Sequence, residues 1–118
     1  MTTPRRAVFV VNKGFHDYSP AEAFGELVFM STTPSGISQY HTSTMARLFQ
    51  PYIIASNAED YILVTAYTVM VSVASAMFAA KHKRLNLLIY KASDNSYEVR
   101  RLVFDGEDKR SLNMKEKN

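Results

Sequence analysis

No cysteine occurs in the 118 residues, which excludes disulfides and thiolate metal sites and suits a reducing compartment. A secretory leader is lacking too. The chain opens Met-Thr-Thr-Pro-Arg-Arg and passes into an apolar run, residues 7–11, too short for a signal peptide and without its small-residue cleavage site. No export is expected. Concentrated charge is also missing: the net charge is +3, and the bases are scattered over Arg5, Arg6, Lys13, Arg47, Lys81, Lys83, Arg84, Arg100 and Arg101. Nucleic-acid binders gather such charges on one face among aromatics and carry recognisable signatures, so no specific nucleic-acid partner is expected. Glycine-rich phosphate loops are absent as well. Asn12-Lys13-Gly14 has one glycine where the P-loop and dinucleotide fingerprints need two or three, and residues 31–36 hold no lysine, which argues against nucleotide triphosphate hydrolysis.

What is present is a charge-free run, residues 61–80, entered through Glu59 and Asp60 and left through Lys81, Lys83 and Arg84. Such a run is long enough to cross a hydrocarbon layer of ~30 Å, and a membrane span is the competing reading. Its composition favours a buried strand feeding a buried helix. Residues 61–66 are of strand type, Tyr67 and Thr68 interrupt them, and the remainder is diluted by Ser72, Ser75 and alanines. The bases after it meet the negative end of the helix dipole, and His82 belongs to that same basic end as a solvated or capping residue.

At this length one domain is expected, and a hydrophobic content of 47% is that of a globular chain. Residues 7–11 read as a first strand. Ser19-Pro20-Ala21-Glu22 has the form of a capped helix start, closed by Gly25. Residues 26–30 form a second strand, and residues 31–36 a turn-rich loop. A second helix begins at Thr42 or Ser43, with Met45, Leu48, Phe49, Tyr52 and Ile53 on one face and Pro51 expected to kink or end it. Residues 61–66 are a third strand, and residues 68–81 a third helix, apolar nearly all round and expected to be the most buried. Residues 85–90 and 97–104 make a terminal hairpin whose Glu98, Arg100 and Arg101 suit an edge. The expected fold is α/β: a Rossmann-like, mainly parallel sheet of about five strands, a C-terminal antiparallel hairpin and about three helices, over residues 1–104. Residues 105–118 are charged and expected to be disordered.

Phe15-His16-Asp17-Tyr18-Ser19, Phe24-Gly25, Asp60-Tyr61-Ile62-Leu63 and Arg84-Leu85-Asn86-Leu87-Leu88 resemble the pattern of small proteins found in tailed-bacteriophage genomes, over about Val8 to Phe104. The resemblance implies a phage accessory protein made in the host cytoplasm. In those relatives a glycine often stands at the position of Ala66, which argues against a glycine-assisted phosphate loop here.

In an open parallel sheet, ligands bind beyond the carboxyl ends of the strands. There the chain offers Lys13, His16, Asp17, Ser31, Thr32, Tyr67 and Thr68. Hydroxyl groups, a fixed lysine charge and helix starts suit a nucleotide-like or phosphorylated ligand, held without catalysis and without a cofactor. Two alternatives stand beside this: an inhibitor or adaptor binding a host protein, and a small hydrolase using His16 and Asp17 as a base pair. A metal at His16 and His41 would need a third ligand that the sequence does not identify, so no metal is expected. Met30, Met45, Met70 and Met77 read as core fillers. Tyr40, Phe49 and Tyr52 near Arg47 have the chemistry of interface anchors, and with the apolar third helix they motivate a homodimer.

Overall fold

The structure, a computed structural model, describes residues 6–32, 41–65, 67–105 and 113–117. The elements run β1 (Ala7–Val10), a 3-10 turn (Ser19–Ala23), β2 (Glu26–Phe29), α1 (Thr42–Ala55), β3 (Tyr61–Leu63), α2 (Thr68–His82), β4 (Arg84–Lys91), β5 (Ser96–Asp105) and β6 (Asn113–Lys117). They build one mixed sheet in the order β2-β1-β3-β4-β5-β6. β1 pairs in parallel with β2 and β3, and β3 with β4, whereas β4–β5 and β5–β6 are antiparallel. A mainly parallel α/β sheet with a hairpin is thus what the sequence pattern led to. Tyr40, residues 33–36 and Ala66 lie outside the described residues.

The alternation of side chains sorts the core into two clusters. Phe9, Ile62 and Leu85 face α1 and α2, packing against Met45, Phe49, Ile53, Met70, Ala74 and Phe78. Val8, Val10, Tyr61, Leu63 and Leu88 face the opposite way, towards Tyr18 and Ala21. The passage from β1 to β2 moves one way along the sheet on the second face. The passages from β2 to β3 and from β3 to β4 move back the other way on the helical face. Opposite directions on opposite faces are what a single crossover hand requires.

Several local expectations are corrected. The first helix is a five-residue 3-10 turn with Tyr18 at its N-cap, leaving two α-helices. Gly25 ends it because the backbone of Arg6 passes so close: a Cβ there would lie 2.3 Å from the Arg6 carbonyl oxygen, which accepts the Glu26 N–H. α1 runs through Pro51 to Ala55. Pro51 and Arg47 are both exposed, so the carbonyl that the proline leaves without a donor belongs to the solvent-facing side of the helix. His41, not Thr42 or Ser43, takes the N-cap position, with no side-chain capping bond. α2 is not enclosed on all sides. Met70, Ala74 and Phe78 are buried, while small residues, Ser72, Ala76 and Ala80, stand on the outward side, where they expose little apolar area. β5 is not the edge, because β6 pairs outside it. β6 lies within the stretch 105–118. Among the described residues no helix is long and apolar enough to cross a membrane; residues 61–80 divide into β3 and most of α2.

Two polar locks hold the layers. At the amino ends of the strands, buried Asp60 accepts the Ala7 N–H at 2.9 Å through one oxygen and the Asn57 N–H at 2.8 Å through the other. Asn86, also buried, donates to the carbonyls of Ala58 and Asp60. The turn before β3 is thereby fixed to β1 and β4. At the same end of the helical layer, Lys81 donates to the carbonyls of Ile53, Ile54 and Ser56, capping the last turn of α1 rather than only its own helix. The Ser56 hydroxyl donates to Ile53 O, so the 2.8 Å contact with His82 has Nε2–H donating to Ser56 Oγ. Burial pushes His82 below the ordinary histidine value of 6.5; Lys81 and Arg84 add to this, and Asp60 opposes it.

Asp60→Ala removes the acceptor of two backbone donors and is expected to destabilise the fold by about 3 kcal/mol, read as a lower urea midpoint with an unchanged slope. Depression of the His82 value means that the unfolded chain takes up the proton more readily. The stability from neutral His82 is complete above pH 6.5, declines as the pH falls below it, and is fully lost below the depressed folded value. Urea midpoints measured from pH 8 to pH 5 should fall for the native chain and flatten in His82→Gln, which keeps a donor for Ser56 without a titrating ring.

Candidate functional site

The strand order puts the reversal of winding between β1 and β3, the place where an open α/β sheet forms a crevice beyond its carboxyl ends. A cavity of about 330 Å³ lies there, lined by Gly14, Phe15, His16 and Tyr18 after β1, by Leu63, Val64, Thr65 and Tyr67 after β3, and by Tyr90 and Tyr97. The last two belong to the hairpin. β3 stops at Leu63, opposite Leu88, but β4 continues to Lys91. At roughly 3.3 Å per residue the hairpin stands about 10 Å past the end of β3 and forms a wall. Tyr90 and Tyr97 are directly opposite in the ladder, with ring centroids 5.4 Å apart.

The lining is fixed by contacts of its own. Tyr18 accepts the Gly14 N–H through its hydroxyl at 3.2 Å, while its carbonyl accepts the Ala21 N–H of the 3-10 turn. His16 meets the rings of Tyr18 and Tyr90 edge-on, each at 5.2 Å. A Cβ on Gly14 would stand 3.2 Å from the Tyr67 hydroxyl, so glycine keeps that side open. Tyr90 donates to Asn95 Oδ1 at 2.7 Å, which ties the wall to its turn. Burial, then the neighbouring Tyr18, Tyr90 and Asp17, raises the Tyr97 hydroxyl above the ordinary value of 10.0, so it stays a neutral donor at physiological pH. Phe15 is fully solvent-exposed at 108% and stands at the mouth.

Of the residues expected at the site, His16 and Tyr67 line the cavity. Asp17 flanks it and accepts the Ser19 N–H at 3.0 Å. That backbone bond, then the Ser19 hydroxyl, holds its carboxyl below the usual range, with His16 adding to the pull. It serves the turn as a cap. Lys13, Ser31 and Thr32 sit together on the β1–β2 side: the Lys13 N–H donates to Ser31 O at 2.8 Å, and the ammonium lies over the Phe29 ring at 5.3 Å. Thr68 opens α2 and accepts the Ser72 hydroxyl through its carbonyl. Among the described residues the cavity lining accordingly contains no lysine or arginine. Among the described residues no three histidine, aspartate or glutamate side chains gather to hold a metal ion. Phe49, expected as an interface anchor, is wholly buried in the core and Tyr52 packs against it; Ile54 is the exposed apolar residue of α1.

Sequence reasoning missed Tyr18, Tyr90 and Tyr97. The last two were legible in principle, because they bracket a short polar turn at matched positions and so had to be cross-strand neighbours.

No curated protein and no solved structure compared with the chain matches it. The sequence model of the Phage Pam3 gp32-like protein family does, over residues 6–103. That stretch takes in the sheet from β1 to most of β5, both helices and every residue lining the cavity, and it agrees with the resemblance to tailed-bacteriophage proteins. The chain belongs to the Phage Pam3 gp32-like protein family.

Proposed function

We propose that the chain is a non-catalytic small-ligand-binding protein of phage type, which holds the planar base of a nucleotide-like molecule in the crevice between β1 and β3. One observation carries the reading: four tyrosines, a histidine and a phenylalanine line a cavity of about 330 Å³ at the reversal of winding, within the size range of small-molecule sites. Aromatic faces stack on any base, and stacking is worth about 1–3 kcal/mol per base. Thr65 and the neutral Tyr97 hydroxyl offer polar contacts to base edges. Orphan N–H groups at the start of α2 are the only support for a phosphate on this side, so the base, not the phosphate, supplies the affinity. Such a protein acts by sequestering its ligand. His16 with Asp17 as a hydrolytic pair draws no comparable support, since the Asp17 carboxylate serves Ser19.

A second reading, an adaptor for a host protein, draws on Phe15. A phenylalanine wholly in water at the mouth of the cavity recovers burial energy only when something covers it. A photoreactive residue at position 15 would crosslink to a host protein under this reading and would stay unlinked under the first.

The test is a thermal-shift panel of nucleosides and nucleotides at millimolar concentration. At least one is expected to raise the melting temperature of the native chain. Tyr67→Ala, at an exposed position, should leave the unliganded melting temperature unchanged and weaken that ligand about tenfold. Absence of any shift across the panel would sink the proposal.

A further inference from the structure

At the other end of the sheet, two guanidinium groups from distant parts of the chain converge on one tyrosine, and a third lies beside them. Arg6 precedes β1, Arg84 opens β4 and Arg101 lies in β5. Arg6 Nη1 donates to the Tyr61 hydroxyl oxygen at 3.1 Å, and Arg101 Nη2 donates to the same oxygen at 3.2 Å. Arg84 is held beside them by Asn86 Oδ1 and by Glu59 at 2.9 Å.

The hydrogen-bond roles do not balance. A phenol has one proton to give, and Tyr61, only 3% exposed, uses its oxygen as a double acceptor. Among the described residues its own proton meets no acceptor. Arg101 Nε is likewise without a partner, and its guanidinium rests over the Tyr61 ring at 5.9 Å. The nearby carboxylates are occupied. Both oxygens of Asp60 accept backbone N–H groups, and Glu59 pairs with Arg84, reaching Arg6 only at 3.8 Å. Among the described residues three cations therefore face the one carboxylate of Glu59, and the roles left over are donors. Arg6 and Glu59 are about half exposed, so solvent reaches the Arg6 side of the cluster, with Tyr61 and Arg101 Nε beneath it.

We propose that Arg6, Arg101 and the Tyr61 hydroxyl bind a tetrahedral oxyanion, the phosphoryl group of a small phosphate ester or of a phosphodiester, with Arg84 adding charge beside them. Donors from three separate segments, the stretch before β1, β3 and β5, match the several acceptor oxygens of a phosphoryl group, and guanidinium forks suit phosphate geometry. This site is separate from the aromatic crevice and does not depend on it.

The experiment is a titration of the isotope-labelled chain with inorganic phosphate at constant ionic strength, following the arginine Nε–H signals by NMR alongside the melting temperature. Saturable shifts at Arg6 and Arg101 with a rise in melting temperature are expected. Arg6→Met, at a half-exposed position, should fold normally and bind about tenfold more weakly. Tyr61→Phe, which keeps the ring and loses only the hydroxyl, should weaken binding as well. Saturation by inorganic phosphate assigns a phosphomonoester. Saturation by a dinucleoside monophosphate alone assigns a phosphodiester. Shifts that never saturate with either probe, that acetate reproduces equally, or that persist unchanged in both variants overturn the proposal.

Discussion

The buried carboxylate of Asp60 is the constraint on which the parallel core depends. β1, β3 and β4 are neighbours in the sheet but far apart in the chain, and parallel strands have no short turn to set their register. Asp60 supplies that register for β1 by taking the Ala7 N–H, and closes its own turn through Asn57. Asn86 completes the lock from β4 by donating to the carbonyls on either side of Glu59. β3 is only three residues long and could not hold its place by ladder bonds alone. Once it is fixed, its carboxyl end at Leu63 is fixed too, and so is the floor of the aromatic crevice.

How much of this was legible follows from which forces are local. The strands of the parallel core and α2 were visible because unbroken apolar runs and a helical stripe are properties of short windows. The early end of α1 at Pro51, one of the two outcomes expected there, fails for the same reason. A window sees a lost hydrogen bond, whereas the fold places the freed carbonyl on the solvent side and holds the helix through Met45, Phe49 and Ile53. Lys81 was read as serving its own helix dipole, because its true partners, the last carbonyls of α1, lie some 25 to 28 positions away. Arg101 had the look of an edge charge, and only the pairing with Asn86 in the ladder shows that it turns towards Tyr61.

At the site the same division holds. The carboxyl ends of the strands were identifiable from the alternation of strands and helices, and His16 and Tyr67 with them. The chemistry of the crevice was not, because a hydroxyl-rich loop and a lysine in sequence do not reveal where the lysine goes. Lys13 lies over Phe29, on the wrong side of β1, while two of the six rings that line the crevice, Tyr90 and Tyr97, come from the hairpin. Length differences between neighbouring strands decide this. β4 outlasts β3, and the residues in the overhang, Tyr90 with Tyr97 opposite, become wall rather than core.

The two ends of the sheet have opposite chemistry, and the packing between them keeps them apart. The Asn86–Arg101 and Tyr90–Tyr97 pairs share a face of the hairpin, separated by four residues or about 13 Å along the strand. The interval is not a channel. Val8, Val10, Leu88, Tyr18 and Ala21 fill it as a continuous buried cluster. A single molecule cannot therefore place a base in the aromatic crevice and a phosphate among the arginines without displacing the core of that face. Among the described residues, cations are missing from the lining of the crevice where sequence reasoning expected a phosphate, and Arg6, Arg84 and Arg101 gather at the opposite end. The separation makes base recognition and phosphate recognition two independent properties of one small sheet, each open to loss without the other.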